Sequence, residues 1–193
     1  ASDVYKRQEG YLTFANVGGV DERTLPSTEV TVHGKEDLWG VIGIKPNYLL
    51  EQGKTAKLKE LAVDTGLSAE KVKEIVAVGD SITLAQSVGR LGKKQFSGKS
   101  LDDRASVAAI MRVMKNIKDL DIDIDVYAVA AVQEEVGCRG GKTTAYGINP
   151  DMAVAIDVCH GITPDNSDNA FEVGTGTVLS VGPNLHPKLT DEL

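Results

Sequence analysis

Residues 126–132 read VYAVAAV and would place apolar side chains on both faces of a strand. A strand of this kind is typical of a sheet that helices cover on each side. Before it, apolar residues recur with helical period from near Asp103 to Ile117; after it, a short helix is predicted around 142–146 and a second apolar strand at 152–156. The second half of the chain is therefore predicted to be a layered α/β structure.

The first half follows a different pattern, in which short alternating runs are separated by turns that contain glycine or proline. The strand candidates are residues 11–15, 29–33, 39–44 and 81–84. One helix is predicted after Ser68, which fits an N-cap, with Val72, Ile75 and Val76 on its buried face. This half is predicted to be a small β-barrel or sandwich.

The change of pattern near Gly98 predicts a domain boundary. We expect residues 9–97 to form a β-domain and residues 98–193 to form part of an α/β domain. Residues 1–8 are polar and continue neither pattern. They are expected to be a tail, of the kind that a leader foreign to the native gene would leave.

Charge and cysteine usage narrow the function classes. The chain has 21 basic and 28 acidic residues, a net charge of −7, which argues against a nucleic-acid partner because such binding depends on basic patches. No apolar run approaches the ~20 residues that cross a bilayer, so no membrane partner is expected. Cys138 and Cys159 lack a Cys-x-x-Cys spacing and are expected to be free thiols. A cytoplasmic protein is the simplest expectation.

Acidic residues stand at three places that matter for chemistry. Asp102 and Asp103 precede a predicted helix, Glu134 and Glu135 follow one predicted strand, and Asp157 follows the next. Ligands of open α/β sheets bind at the carboxyl ends of the strands. Each residue also has a structural alternative: either aspartate of the first pair could cap the helix, and the others could be solvated loop charges or turn residues.

Taken together, acidic groups converging on one sheet edge would repel each other unless a cation lay between them. Carboxylates suit hard or borderline divalent ions, and a bridging carboxylate can hold two of them. In an adjacent pair, one glutamate can bind metal while the other takes a proton from the attacking water. Gly137 supplies the conformational freedom that a sharp turn there requires.

At these residues the chain resembles the glutamyl and deblocking aminopeptidases, also called tetrahedral aminopeptidases. The motifs that carry the resemblance are SGKSLDDR at 97–104, VQEEVG at 132–137 and AIDVCHG at 155–161, with VGGV at 17–20, GVIG at 40–43, LAVDTG at 61–66 and VGD at 78–80 upstream. The resemblance covers nearly everything after Gln8. It implies a layered α/β catalytic domain, here incomplete, with an inserted small β-barrel-like domain.

The resemblance also implies a role for each acidic residue. Asp102 would bridge two divalent metal ions, Glu135 and Asp157 would each bind one of them, and Glu134 would be the general base. Asp103 and Arg104 would support the bridge. The implied reaction is hydrolysis that releases the N-terminal residue of a peptide, and the full-length protein is expected to be a homo-oligomer. Zinc is the expected metal, with cobalt or manganese as alternatives.

Two histidine motifs of the family have no matching position, namely a His-x-Asp before the inserted domain and a histidine far downstream. The chain is therefore expected to be an internal fragment that binds metal weakly and hydrolyses peptides poorly or not at all. His33, His160 and His186 are expected to be structural rather than substitute ligands. Ser106 stands where the family usually has glycine, and Tyr48 where a histidine is common.

Two other functions stay open at this stage. The chain could be a non-catalytic peptide-binding or assembly module with an incomplete metal site. It could also be a glycosidase that uses Glu134 and Asp157 as its acid and base. Metal dependence separates the glycosidase from the aminopeptidase, because the glycosidase mechanism needs no metal.

Overall fold

A six-stranded antiparallel sheet is the main element of the computed structural model. The structure describes residues 9–44, 56–166, 168 and 170–193, and the backbone of residues 3–6. The strands are β1 (Asp3–Lys6), β2 (Leu12–Ala15), β3 (Glu29–His33), β4 (Asp37–Ile44), β5 (Leu61–Asp64) and β6 (Ser81–Leu84). Their order is β1-β2-β5-β4-β3-β6, and the two edge strands approach each other, so the sheet curls.

Alternation of apolar and polar residues forms these strands. Val30 and Val32 of β3, and Leu61 and Val63 of β5, are fully buried, while the residues between them are partly exposed. The strands predicted at 29–33 and 81–84 are confirmed, and those at 11–15 and 39–44 are confirmed within two residues. The expected tail is wrong for Asp3–Lys6, because this segment forms β1 and pairs with β2.

The predicted helix after Ser68 is confirmed as α1 (Ala69–Ile75). The Ser68 hydroxyl accepts a hydrogen bond from the Lys71 N–H, as an N-cap does. Val72 and Val76 are buried and join the apolar core of the sheet. The core consists of Leu12, Phe14, Leu25, Val30, Val32, Ile42, Ala56, Leu61, Val63, Val72, Val76 and Ile82.

A small hairpin that the sequence analysis did not predict follows the sheet. Its strands are β7 (Gly89–Leu91) and β8 (Gln95–Ser97), and the Arg90 guanidinium lies 5.3 Å from the centre of the Phe96 ring. Such a cation–π contact stabilises exposed hairpins modestly.

The rest of the chain is helical and irregular. It contains α2 (Leu101–Ile117), α3 (Arg139–Ile148) and α4 (Pro187–Glu192). The helix predicted from near Asp103 is confirmed as α2, and the one around 142–146 is confirmed as the longer α3. The strands predicted at 126–132 and 152–156 are wrong: these segments form no strand, and their large apolar residues are exposed except for Val129, which is partly buried.

The physical reason is the missing neighbour. A strand needs an adjacent strand for its backbone hydrogen bonds, and no strand among the described residues pairs with either segment. The structure is therefore a mixed α/β chain with a curled antiparallel sheet. It forms two compact units, one comprising residues up to Leu101 with Val129–Asp151, the other Asp102–Ala128 with Met152–Leu193. No helix of the described part is long and apolar enough to span a bilayer.

Candidate active site

The two aspartates at the start of α2 differ in their contacts. The backbone of Asp102 and Asp103 is not helical, and the Ser106 N–H donates a hydrogen bond to Asp103 Oδ1 at 2.9 Å. Asp103 therefore caps the helix, as the sequence analysis gave as the alternative to metal binding for either aspartate of the pair. The Asp102 carboxylate is exposed and forms no hydrogen bond or ion pair with any described residue. It keeps its oxygens free for a ligand.

Ser106 is the only buried polar residue of the described part of the chain, with 6% of its surface exposed. It lies on α2, three residues after Asp103, whose carboxylate accepts a hydrogen bond from the Ser106 N–H. Its small side chain fits the closely packed place at which the resembling family carries glycine.

The adjacent glutamates lie on a sharp turn. Glu134–Val136 form one turn of 3-10 helix, flanked by left-handed residues at Gln133 (φ 55°), Gly137 (φ 112°) and Cys138 (φ 53°). The N–H groups of Gly137 and Cys138 both donate to the Glu134 carbonyl, at 3.0 and 2.8 Å. This confirms the sharp turn expected at Gly137, since its positive φ is one that glycine adopts freely.

A backbone clasp closes the loop that carries this turn. The Arg139 N–H donates to the Gln133 carbonyl at 3.3 Å, and the Gly140 N–H donates to the Val132 carbonyl at 2.8 Å. A Cβ atom on Gly140 would lie 2.4 Å from the Val132 oxygen, so only glycine fits there. We name residues 132–140 the glutamate loop.

The two carboxylates of the glutamate loop differ in their contacts. Glu134 Oε1 accepts a hydrogen bond from the Cys138 thiol at an Oε1–Sγ distance of 3.1 Å. The exposed Glu135 side chain has no hydrogen bond or ion pair with the described residues. One glutamate is thus held by its own loop, and its neighbour is free to bind a ligand.

Asp157 is exposed and lies outside any strand or helix. Its Oδ1 accepts a hydrogen bond from the N–H of the next residue, Val158, at 2.8 Å, which leaves Oδ2 without a partner among the described residues. The local geometry matches a turn residue that keeps one oxygen for another ligand.

The histidines occupy different settings. The ring nitrogens of His33 lie 2.8 Å from Asp37 Oδ1 and 2.8 Å from Thr83 Oγ1, so His33 links the strands on either side of β3 and is structural. His160 is exposed, and His186 is the N-cap residue of α4. Their exclusion as ligands stays a prediction. Tyr48 lies outside the described residues.

The candidate ligands are distributed over both units. Asp102 and Asp157 belong to one, and Glu134 and Glu135 to the other. Within the described ranges, no three His, Cys, Asp or Glu side chains come together as a metal site. The donor chemistry nevertheless fits divalent ions, because Asp102, Glu135 and Asp157 each retain at least one carboxylate oxygen that no described residue contacts by a hydrogen bond.

Sequence reasoning missed the contact between Cys138 and Glu134. The available signal was their spacing of four residues across a glycine, which brings side chains together when the chain turns helically. The left-handed conformation of Gln133 had no sequence signal, because glutamine rarely adopts it.

Comparison with known proteins places these motifs in a family. The sequence model of the M42 glutamyl aminopeptidase family matches residues 6–193. The lysyl aminopeptidase of Pyrococcus furiosus is 32% identical over 190 residues, which is 94% of this chain and 54% of the relative.

Solved structures agree with this result. A TET aminopeptidase from a marine-sediment Thaumarchaeota archaeon is 31% identical with a TM-score of 0.82, over 91% of this chain and 53% of that one. The Pyrococcus horikoshii TET1 peptidase, which can assemble into a tetrahedron or a large octahedral shell, is 33% identical with a TM-score of 0.78, over 91% and 54%. The chain spans about half the length of these relatives. It belongs to the M42 glutamyl aminopeptidase family.

Proposed function

We propose that this chain supplies the inserted β-barrel-like domain and the central part of a layered catalytic domain to a metal-dependent aminopeptidase. The observation that carries the proposal is the family match over residues 6–193, which includes the glutamate loop and both aspartate motifs. The activity assigned is release of the N-terminal residue from peptides.

Glu134 is proposed as the general base. Its Oε1 is held by Cys138, while its Oε2 has no hydrogen bond from a described residue and can accept a proton from the attacking water. Its position on a turn closed by backbone hydrogen bonds keeps the carboxylate at a fixed place relative to Glu135. Fixed placement of this kind is what general-base catalysis requires.

Asp102, Glu135 and Asp157 are proposed to hold two divalent ions, with Asp102 as the bridge. When bound, such ions activate a peptide carbonyl and a water molecule as Lewis acids. These three residues offer only oxygen donors, whereas zinc sites normally have four ligands that include nitrogen or sulfur. We therefore expect the 193-residue chain to bind zinc weakly and to show little peptidase activity on its own.

The test uses the complete open reading frame that contains this chain. The purified protein is assayed for release of N-terminal residues from peptide anilides, with and without Zn²⁺, Co²⁺ or Mn²⁺. Activity is expected to require metal and to fall by about 100-fold or more in Glu134→Gln, the range that a general base contributes. Glu36→Gln, which changes an exposed glutamate between β3 and β4 in the same way, serves as the control.

Two results would contradict this assignment: hydrolysis without metal, or full activity in Glu134→Gln. Zinc-stimulated hydrolysis by the 193-residue chain at the rate of an intact enzyme would instead contradict the expected weakness of its metal site. Light scattering on the same preparation tests the proposed homo-oligomer, which the assembly of the Pyrococcus horikoshii relative supports. Among the described residues Cys138 and Cys159 form no disulfide, which fits the proposed reducing, cytoplasmic location.

A second candidate is a non-catalytic peptide-binding or assembly module. It is favoured by one observation, that Asp102, Glu135 and Asp157 offer oxygen donors alone, whereas zinc sites normally include nitrogen or sulfur. Peptide binding without hydrolysis, unaffected by metal, would support this alternative in the same assay.

A further inference from the structure

We propose that Cys138 is a positioning residue for Glu134, so that its thiol fixes the carboxylate of the general base in one orientation. The inference rests on the proposed function for the role of Glu134, but the contact itself does not. The Cys138 thiol donates a hydrogen bond to Glu134 Oε1, at an Sγ–Oε1 distance of 3.1 Å.

The backbone of Cys138 already returns to the same residue. Its N–H donates to the Glu134 carbonyl at 2.8 Å, which sets the Cα position of Cys138 relative to Glu134. The side-chain bond then adds a second tie between the same two residues. A glutamate side chain on an exposed turn otherwise samples several rotamers, and the two ties together restrict it.

The backbone conformation of Cys138 favours a specific role for its side chain. Cys138 adopts a left-handed conformation, with φ 53° and ψ 35°, which costs energy for any residue with a Cβ atom and suits glycine or asparagine better. Cys138 is also the N-cap residue of α3, yet its side chain forms no capping hydrogen bond to that helix. The thiol is directed instead to the carboxylate of Glu134.

A thiol is well suited to this task. It is a weak and uncharged donor, so it can orient one carboxylate oxygen without pairing the negative charge. A lysine or arginine at this place would form an ion pair with the carboxylate and compete with the attacking water. Oε2 stays without a partner among the described residues.

The first test reads the thiol directly in the 193-residue chain. The S–H stretching band is recorded by infrared spectroscopy in Cys159→Ala, where Cys138 is the remaining thiol, and in Cys138→Ala, where Cys159 remains. Cys159 is exposed and free, so it provides a matched reference within the chain. The Cys138 band is expected at lower frequency, because a carboxylate is a stronger acceptor than water.

Removal of the acceptor should abolish this difference. In the double variant Glu134→Ala with Cys159→Ala, the Cys138 band is expected to move to the position of the Cys159 reference. Glu134→Gln should give an intermediate position, since an amide oxygen carries no charge. Circular dichroism confirms that each variant keeps its helices. A Cys138 band that equals the reference, or one that ignores Glu134→Ala, would overturn the proposal.

The second test measures the kinetics of the complete protein. Cys138→Ala is expected to lower kcat by about tenfold with KM unchanged, a fraction of the loss that removal of a general base causes. Cys138→Ser, which keeps a hydroxyl donor, is expected to restore most of kcat. An unchanged kcat in Cys138→Ala, in an enzyme that Glu134→Gln inactivates, would refute positioning and leave the proposed function intact. A confirmed thiol shift in an enzyme that tolerates Glu134→Gln would refute the role of Glu134 and, with it, the positioning of a base.

Discussion

The β segment, residues 9–97, and the C-terminal segment, residues 98–193, use similar apolar residues with opposite results. Every buried hydrophobic residue of the described chain lies in the β segment. Among the described residues of the C-terminal segment, only Ser106 and Gly140 are buried. Apart from the partly buried Val129, the apolar side chains of 126–132 and 152–158 are exposed there, although these runs are as apolar as any strand of the sheet.

The difference shows what a local pattern can and cannot specify. Each strand of the six-stranded sheet has an antiparallel neighbour within the β segment or in β1, so its backbone groups are paired and its inward apolar residues join the core. The apolar runs of the C-terminal segment have no strand beside them among the described residues. Helices α2 and α3 form in the same segment because their hydrogen bonds are internal.

The largest expected effect is that substitutions of apolar residues lower the free energy of unfolding in the β segment but not in the C-terminal segment. Leu61→Ala removes a fully buried side chain and should lower the free energy of unfolding by about 2–5 kcal/mol. Val181→Ala, at a residue with 89% exposure, should change it by about 0.5 kcal/mol or less. Urea unfolding followed by fluorescence of Trp39, the single tryptophan, which lies on β4 beside β5, measures the effect of both. Equal losses of unfolding free energy in Leu61→Ala and Val181→Ala would contradict the difference between the two segments.

Helix caps provide a smaller test, in which both segments should respond. Ser68→Ala removes the acceptor of the Lys71 N–H at 3.4 Å, and Asp103→Ala removes the acceptor of the Ser106 N–H at 2.9 Å. Each N–H should exchange with solvent about fivefold faster, corresponding to a cap of about 1 kcal/mol, and the shorter bond at Ser106 should show the larger change. Hydrogen exchange by NMR measures both rates.

Asparagine substitutions at the same two positions are the matched controls, because asparagine is also a good N-cap and keeps an acceptor oxygen. If Asp103→Asn raised the exchange rate of the Ser106 N–H as much as Asp103→Ala, the cap would not be the cause. The acidic pair would then lose its assigned division between Asp103 and Asp102.

The smallest expected effect concerns a surface ion pair of the β segment. The Arg23 side chain hydrogen-bonds the Asp21 carboxylate and lowers its pKa from 3.8 to about 2. Because the folded pKa lies below the unfolded one, the stabilisation is present above pH 3.8 and is lost as the pH falls from there toward 2. Carboxyl titration by NMR should show a midpoint near 2 that returns toward 3.8 in Arg23→Gln. An unchanged midpoint in that variant would exclude the Arg23 side chain as the cause and leave the backbone N–H of residue 23, which also donates to Asp21 Oδ1.

Much of the β segment could be predicted from sequence, because period-two alternation, turn residues and the Ser68 cap all act locally. The hairpin β7–β8 was missed since its residues are exposed and its strands are three residues each. Strand β1 was missed because its polar residues carry no alternation signal; backbone pairing with β2 forms it. In the C-terminal segment the apolar runs predicted strands at 126–132 and 152–156, but a strand forms only when an adjacent strand pairs with its backbone.

The candidate site divides in the same way. The sharp turn at Gly137 and a helix cap within the Asp102–Asp103 pair followed from local chemistry. The sequence could not decide which aspartate is the cap, because that depends on backbone angles that place Asp103 Oδ1 near the Ser106 N–H. The four-residue spacing of Glu134 and Cys138 was a signal for their contact, but the contact also needs three left-handed residues in one short loop, which the sequence did not predict.

The backbone hydrogen bonds that close the glutamate loop show which residues shape the turn that carries Glu134. The hydrogen bonds that shape it join residues 132–140 to one another, and Gly140 packs on the Val132 backbone of the same stretch. The loop keeps its turn even though the apolar run 126–132 before it forms no strand. The hydrogen bonds given for the turn and for the Glu134 carboxylate thus lie within nine consecutive residues, and the turn forms beside a run that is not part of a sheet.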